Sequence, residues 1–395
     1  MSKILTETKS VGLNFFLLFC ICLSLLPLNV TAQTIDFSGK TIKEPINVEF
    51  WKRHLQDGIE IDSSDREFPH IIFHRPIDFA HATFDDSVSF VHAKFNSTAD
   101  FVGTKFKGRA DFWMACFDSG VSFGFAEFDS TADFMGTKFK GKADYLEADF
   151  RGDVTFSFAI LPHTLDFRYV KDISREIDFT LSEPPSLKGK CYIALAGSDI
   201  SKIKLNMALF TLWFPGIIHY DGDLSVYESV LKKLKDDGFM DSYQILDIEY
   251  RQFKFHHGPK LLGILNIGPL LNILNNVWWY YGYNKELVFV WAIGFWVLFS
   301  LVNLKVYPKF SESVYAIPFL EKLETSLLTG VKKRLFYFLQ VVTYTAIVFF
   351  GLKMDVAKFK KGVVREHPWL FIYLMFVYVL GLVCLGFIVN IIFTR

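Results

Sequence analysis

Two pairs of histidines and one acidic stretch are the residues whose types and spacing suit metal binding. His70 and His74 are four residues apart, His256 and His257 are adjacent, and the stretch 220–225 reads YDGDLS. A ligand pair at a four-residue step requires a helix, but His70 and His74 precede a region with a β pattern. His256 and His257 have no carboxylate at ligand spacing, and the stretch 220–225 lacks the remainder of a twelve-residue calcium loop. We therefore expect no metal site, and 220–225 is predicted to be a loop and helix cap.

Cysteine chemistry is equally limited. Of the five cysteines, Cys116, Cys191 and Cys384 follow the N-terminal apolar segment, and no Cys-x-x-Cys pair occurs. Two alternatives are open for Cys116 and Cys191: they form a disulfide bridge, or they are two buried free thiols. The sequence contains no nucleophile elbow, phosphate loop or dinucleotide fingerprint. We expect a protein that is not an enzyme and that needs no cofactor.

A different chemistry is suggested by residues 340–355, which contain Thr345, Gly351, Lys353 and Asp355 between two apolar runs. This arrangement resembles the two-helix potassium-channel module, in which a Thr-Val-Gly-Tyr-Gly-Asp filter presents backbone carbonyls to the ion. Aligned on Asp355, both filter glycines are missing and Lys353 adds a positive charge. The stretch is therefore either a degenerate pore segment or a purely structural hairpin.

The composition is typical of a protein with membrane segments, since 51% of the residues are hydrophobic. The 395 residues include 42 basic and 42 acidic side chains, so the balance of charge suggests no nucleic-acid partner. Apolar residues concentrate at the N-terminus and after about residue 260. Residues 1–32 have the pattern of a signal peptide, with cleavage between Ala32 and Gln33, although an uncleaved anchor is the alternative. Residues 33–67 form an N-terminal lead-in.

The strongest pattern in the chain is a series of aromatic residues at alternating steps of five and six. They are Phe79, Phe84, Phe90, Phe95, Phe101, Phe106, Phe112, Phe117, Phe123, Phe128, Phe134, Phe139, Tyr145, Phe150 and Phe156. Neither a helix nor a flat strand keeps such positions on one side. A coil of short faces joined by corners does, with each aromatic pointing inward and a small or β-branched residue two positions before it also pointing inward. The polar residue between them, often aspartate as at Asp133, should point to water and contribute little to stability.

This run resembles the Phe-rich subtype of the pentapeptide-repeat family, whose motif is Ala-(Asp/Asn)-(Leu/Phe)-x-x. The resemblance implies a right-handed quadrilateral β-helix over residues 68–180, with about four coils in residues 77–156 and ~4.8 Å between strands. Its structural stack would include Phe101, Phe106, Phe112, Phe117, Phe123, Phe128, Phe134, Phe139, Tyr145 and Phe150. Some members of the family mimic DNA, but the lysines interspersed here argue against that role.

Residues 181–260 contain a terminal coil and two amphipathic helical patterns separated by Asp237-Gly238, which predict a helical hairpin that caps the β-helix. Residues 261–286 mix apolar residues with Asn, Gly, Pro and an aromatic cluster, a pattern typical of the membrane interface. The remainder, 287–395, is predicted to be a transmembrane region. Residues 287–306 and 369–393 are long enough to span, whereas 335–352 is borderline and either spans or re-enters.

These observations lead to two hypotheses of different classes. The first is a multi-pass protein of the cell membrane whose extracytoplasmic β-helix acts as a structural or protein-interaction scaffold. The second is an ion-channel-like protein with a degenerate pore at 340–355 and an accessory β-helix. The expected partners are the lipid bilayer and a protein of unknown identity, with no nucleic acid, and the oligomeric state is open.

Overall fold

The computed structural model describes residues 34–63, 70–186, 189–216, 219–258, 267–309, 330–351 and 368–393. The chain divides into two compact units, residues 1–250 and 251–395. The expected signal cleavage site, Ala32 and Gln33, and the pore candidates Lys353 and Asp355 lie outside the described residues.

The first unit is a β-solenoid of about six turns, built from short strands that pair with strands of the next turn. Sheet A contains Ile35–Asp36, Ile77–Asp78, Ala99–Asp100, Val121–Ser122, Ala143–Asp144, Thr164–Asp166, Cys191–Ala194 and Phe210–Leu212. Sheet B contains Thr41–Ile42, Thr83–Phe84, Lys105–Phe106, Glu127–Phe128 and Asp149–Phe150. Sheet C contains Val88–Ser89, Ala110–Asp111, Ala132–Asp133 and Val154–Thr155. Sheet D contains Ile59–Asp62, His70–Phe73, Lys94–Phe95, Cys116–Phe117 and Lys138–Phe139. A two-stranded sheet pairs Ile177–Asp178 with Ile203–Lys204.

The chain visits sheets A, B, C and D in turn and then returns to sheet A. In sheet A, Val121 pairs with Ala143 in a parallel register, so partners are 22 residues apart, or two eleven-residue periods. Each aromatic residue of the repeat therefore lies directly over its counterpart in the next turn. Ring centroids of Phe106 and Phe128 are 4.8 Å apart with 4° between their planes. The four columns of stacked rings fill the interior and explain why the spacing of five and six is kept.

The ten predicted stack residues all lie in this buried interior. Tyr145 lies between Phe123 and Phe167 in the column of sheet A, with centroids 5.0 Å from each. Within the described part of the chain, its hydroxyl has no hydrogen-bond partner. The hydroxyl is thus a buried polar group among the stacked aromatic rings.

The solenoid extends further in both directions than the residues 77–156 that motivated the four expected coils. Within the predicted lead-in, Ile35 pairs with Ile77, and helix α1 (Val48–Arg53) inserts the fully buried Trp51 into the end of the coil. The Trp51 ring packs edge-on against Phe73 at 5.2 Å and Phe37 at 5.6 Å. At the other end Phe179, although one residue out of step, still stacks on Phe156 at 4.8 Å.

A helical hairpin, α2 (Tyr220–Asp236) and α3 (Met240–His257), follows the last strand. Gly238 joins the helices in the left-handed region, with φ of 77°. The Ser242 hydroxyl accepts a hydrogen bond from the backbone N–H of Met207 at 3.1 Å, and Lys233 donates to the Glu176 carboxylate at 2.5 Å. The hairpin therefore packs on the final turns, where it covers apolar surface of the core.

The second unit contains helices α4 (Gly268–Trp279), α5 (Leu287–Lys309), α6 (Gly330–Phe349) and α7 (Pro368–Phe393). Two stretches, Leu287–Tyr307 and Pro368–Phe393, are long and apolar enough to cross a membrane. Helices α5, α6 and α7 pack around a shared apolar core that includes Phe299, Val341 and Leu374. Helix α4 lies in the segment predicted to be interfacial, and many of its apolar side chains are exposed.

Candidate interaction surface

Short β-turns lead from sheet A to sheet B and from sheet C to sheet D. Each of these β-turns places one residue in the left-handed backbone region. In the turn Phe79–Ala82, the Ala82 N–H donates to the Phe79 carbonyl at 2.9 Å and His81 has φ of 58°. A positive φ at the third residue of such a turn favours glycine. Four turns of the coil use glycine there: Gly39, Gly103, Gly136 and Gly197, with φ of 64°, 63°, 65° and 78°.

The corresponding residues of successive turns align in two rows along the solenoid. We define the first ridge as His81, Gly103, Phe125, Glu147 and Tyr169, and the second ridge as His92, Met114, Gly136 and Phe158. Within each ridge the residues are 22 apart, so they follow one another at the same corner. In both ridges, the side chain of a non-glycine residue lies over the glycine of the next turn, as His81 does over Gly103 and Met114 over Gly136.

Large apolar side chains on these ridges are exposed. Phe125 is 50% exposed, Phe158 57%, Tyr169 49% and Met114 42%. A non-glycine residue in the left-handed region costs roughly 1–2 kcal/mol relative to the right-handed helical conformation. The exposed half of each ring contributes nothing to folding, and glycine is accommodated at the same corner in other turns. Folding alone therefore does not account for these side chains, and such residues are candidates for binding.

The aspartates between the inward residues have a structural role that sequence reasoning missed. In strand after strand the carboxylate accepts the backbone N–H two residues later: Asp133 accepts from Met135 at 3.0 Å, and Asp111 accepts from Trp113 at 3.1 Å. Their side chains are only 16% and 20% exposed. The expectation that Asp133 simply points to water is wrong, because its side chain closes the corner turn in the manner of an Asx turn.

Charged side chains of the outer faces pair between successive turns. Arg109 contacts Asp111 at 3.0 Å and Asp133 at 2.9 Å, and Lys105 contacts Glu127 at 3.0 Å. Because Arg109 and Lys105 are 51% and 50% exposed, each pair contributes about 0–1 kcal/mol. Lys94, Lys105, Lys107, Lys140 and Lys142 of the repeat are likewise each paired with a carboxylate of the same or a neighbouring turn.

The cysteines of the solenoid are free thiols in the structure, so the alternative of a Cys116–Cys191 bridge is not adopted. Cys116 lies in sheet D in register with Lys94 and Lys138 and donates to Asp118 at 3.3 Å. Partial burial and the adjacent Asp118 carboxylate raise the pKa of the Cys116 thiol. Burial also raises the pKa of Cys191. Both thiols are therefore poor nucleophiles at neutral pH.

The histidine candidates are engaged in ordinary contacts. His74 approaches the Glu60 carboxylate at 2.8 Å, and His70 lies 3.6 Å from Asp62 across the strand pair. His256 and His257 each contact a backbone carbonyl of their own helix, at 2.8 and 3.2 Å. The stretch 220–225 forms the first turn of α2. Among the described residues, no group of three or more His, Cys, Asp or Glu side chains is placed to hold a metal ion.

The described pore candidates lie in a helix interface. The buried Thr345 hydroxyl donates to the Val341 carbonyl of its own helix at 2.8 Å and is also 2.9 Å from the Asn303 amide nitrogen, which donates to it. Gly351 follows the end of α6 with φ of 65°. Thr345 is therefore part of a contact between α5 and α6.

Residues 68–115 match the sequence family described as pentapeptide repeats (9 copies). This match covers the first half of the regular aromatic run and supports the pentapeptide-repeat assignment for the solenoid. The resemblance of the C-terminal region to a channel module has no such support. Comparison with curated proteins and with solved structures gave no match.

Proposed function

We propose that this chain is a membrane-anchored scaffold whose β-solenoid binds a protein partner outside the cytoplasm. In this proposal the solenoid is a right-handed quadrilateral coil, the signal peptide directs residues 33–260 out of the cytoplasm, and the C-terminal helices hold the protein in the bilayer. The observation that carries the proposal is the pair of ridges, where large exposed side chains occupy corners that favour glycine. Two helices that are long and apolar enough to cross a membrane support the anchor.

The ridges suggest how a partner is bound. Phe125 and Tyr169 on the first ridge, and Met114 and Phe158 on the second, lie at regular intervals along a rigid coil. Exposed aromatic and methionine side chains are typical contributors to the centre of protein interfaces. A rod with apolar anchors at fixed spacing would therefore select a partner with matching apolar pockets or an apolar helix face.

The ridges provide a variant that separates binding from folding. Phe125→Gly and Phe158→Gly remove the half-exposed rings and relieve the backbone strain, which offsets the lost contacts, so the solenoid should still fold. A photo-crosslinking residue at Glu147, between the two exposed rings of the first ridge, should give a specific protein adduct in cells, and the adduct should disappear in the double glycine variant. A crosslinker at Lys107, which is 53% exposed in the turn from sheet B to sheet C where neither ridge lies, is the control. An adduct that survives the double substitution would exclude the ridges as the binding surface.

The location is tested separately. The chain should stay in the membrane pellet after carbonate extraction, and protease added to spheroplasts should degrade the solenoid while Lys332, Lys333 and Arg334 survive. Complete protection of the solenoid until the membrane is breached would overturn the extracytoplasmic assignment. Reporters fused after residues 200, 320, 362 and 395 would extend the test to the whole chain.

An ion-channel-like protein is the second candidate function. The observation that favours it is that α6 ends beside α7 rather than continuing along its length: the Phe349 carbonyl lies against Gly381. Planar-bilayer recordings of the purified chain test this candidate. Ion currents that are lost when residues 345–355 are substituted would favour the channel over the scaffold.

A further inference from the structure

Helices α6 and α7 run in the same direction, although they are consecutive helices of the membrane unit. Both helices run opposite to α5. For α6, the Tyr337 hydroxyl near its start donates to the Leu304 carbonyl late in α5 at 3.0 Å, whereas the ring centroid of Phe349 at its end lies 6.1 Å from that of Phe299, which is earlier in α5. Helix α7 also runs opposite to α5. Near its start the Tyr373 hydroxyl donates to the Asn303 side chain at 3.1 Å. Farther along α7, the ring centroid of Phe387 is 5.9 Å from that of Trp278, which in turn is 6.2 Å from the ring centroid of Phe295 near the start of α5.

The end of α6 lies at about the middle of α7. A Cβ added at Gly381 would meet the Phe349 carbonyl oxygen at 1.6 Å, and one added at Gly351 would meet the Leu382 side chain at 3.0 Å. Gly381 is 13 residues from Pro368 and 12 from Phe393, so at 1.5 Å per residue it is about 20 Å from either end of α7. The absence of a side chain at Gly381 lets the α6 backbone end there.

The apolar part of α6 is too short for a full crossing, and an end at mid-depth leaves about ten residues of the helix (~15 Å) in the hydrocarbon layer, with its first turns in the interface. Lys332, Lys333 and Arg334 are exposed in its first turns. The apolar part from Leu335 to Phe349 extends about 22 Å, which is short of the ~30 Å hydrocarbon layer. Asn303 of α5 links the other two helices: its amide nitrogen donates to Thr345 of α6, and its amide oxygen accepts from Tyr373 of α7. Such hydrogen bonds between helices stabilise packing inside a membrane.

We infer that α6 is a re-entrant helix, which enters the membrane from the side on which α7 begins and ends at mid-depth against Gly381. This inference rests on the proposed membrane location. It gives the chain two membrane spans, α5 and α7, and places the amino-terminal ends of α6 and α7 on one side. The basic residues 332–334 assign that side to the cytoplasm. The start of α5 then lies on the opposite side, where the proposed function places the solenoid.

Single cysteines in the full-length chain test the topology. Val331 and Trp369, at the starts of α6 and α7, are 82% and 80% exposed, and Phe393 at the end of α7 is 81% exposed. Val331→Cys and Trp369→Cys should react with a membrane-impermeant maleimide only after spheroplasts are permeabilised, whereas Phe393→Cys should react in intact spheroplasts. The unsubstituted chain measures labelling of the native cysteines.

The outcomes are distinct. Labelling of Val331→Cys and Trp369→Cys from opposite sides means that α6 spans, and the inference fails. Labelling of both from outside keeps the re-entrant helix and overturns its cytoplasmic side. Complete release of the unsubstituted chain by carbonate would instead refute the proposed membrane anchor.

Gly381 provides an independent test with a matched control in the same helix. In a Gly351→Cys, Leu382→Cys background, mild oxidation should form an intrachain disulfide, detected by peptide mass spectrometry. Adding Gly381→Ala should abolish most of this cross-link, because the new methyl group meets the α6 carbonyl. Adding Gly386→Ala should leave it unchanged, since a Cβ there has no neighbour within 4 Å. Equal cross-linking in the two variants would refute the contact and with it the depth of α6.

Discussion

Replacing Phe123 with alanine removes a ring from the centre of the solenoid core. The ring is fully buried, with Phe101 stacked at 4.9 Å on one side and Tyr145 at 5.0 Å on the other. The edges of Phe112 and Phe134 approach it at 5.4 Å each. Because the four sheets hold the backbone in place, as in the 2.6 Å hydrogen bond from the Phe123 N–H to the Asp144 carbonyl, the cavity cannot close. We expect a loss of about 3–5 kcal/mol of unfolding free energy.

Phe125→Ala is the matched control, two residues away on the same turn. Phe125 is half exposed and has φ of 57°, and alanine carries the same Cβ penalty there, so the change should remain within about 0.5 kcal/mol. Hydrogen exchange of the detergent-solubilised chain, followed by mass spectrometry of peptides covering residues 121–148, measures both variants. Phe123→Ala should lower protection at least ~100-fold, since 1.4 kcal/mol corresponds to a factor of ten. Equal effects of the two substitutions would show that the assignment of inward and outward residues is wrong.

Three further outcomes are expected for the solenoid and its cap. Asp133→Ala removes the acceptor for the Met135 N–H and a partner of Arg109. It should lower the unfolding free energy by about 1 kcal/mol, measured by denaturant unfolding of the solubilised chain. Asp133→Asn keeps an acceptor and should cost less, and an alanine variant of unchanged stability would contradict the Asx-turn role. Tyr145→Phe removes a buried hydroxyl without a partner among the described residues and should raise stability by about 1 kcal/mol, whereas a loss would reveal a partner for that hydroxyl. Burial raises the pKa of Glu249 above its ordinary value of 4.5, despite the hydrogen bond from the Tyr227 hydroxyl. The folded state therefore holds this proton more tightly than the unfolded state, so its contribution favours folding below about pH 4.5 and is lost as pH rises through the raised pKa. In urea midpoints measured between pH 4 and 8, Glu249→Gln should remove that decline, and an identical pH profile in the variant would rule out Glu249 as its source.

The sequence determined the solenoid and the helical hairpin because both depend on repetition within a few residues. One large aromatic residue per face fills a narrow interior, so the spacing of five and six is visible in residues 79–156 without any knowledge of long-range contacts. The apolar face of α2 is visible for the same reason, since a helix that packs on one side repeats every 3.6 residues. The two candidate spans follow from length and composition alone.

Only the tertiary structure decided what lies at the ends and corners. Trp51 closes the coil because α1 is positioned by strands distant in sequence, and its segment has no repeating pattern of its own. The sequence pattern assigns Asp133 to solvent, and only the structure shows the turn that its carboxylate closes. Phe125 and Phe158 occupy left-handed corners, which a sequence signals only when the residue is glycine. Gly381 resembles any small residue of an apolar helix, and its role depends on which backbone approaches it. The direction of a helix within a bundle is set by contacts between faces, and composition carries no record of those contacts.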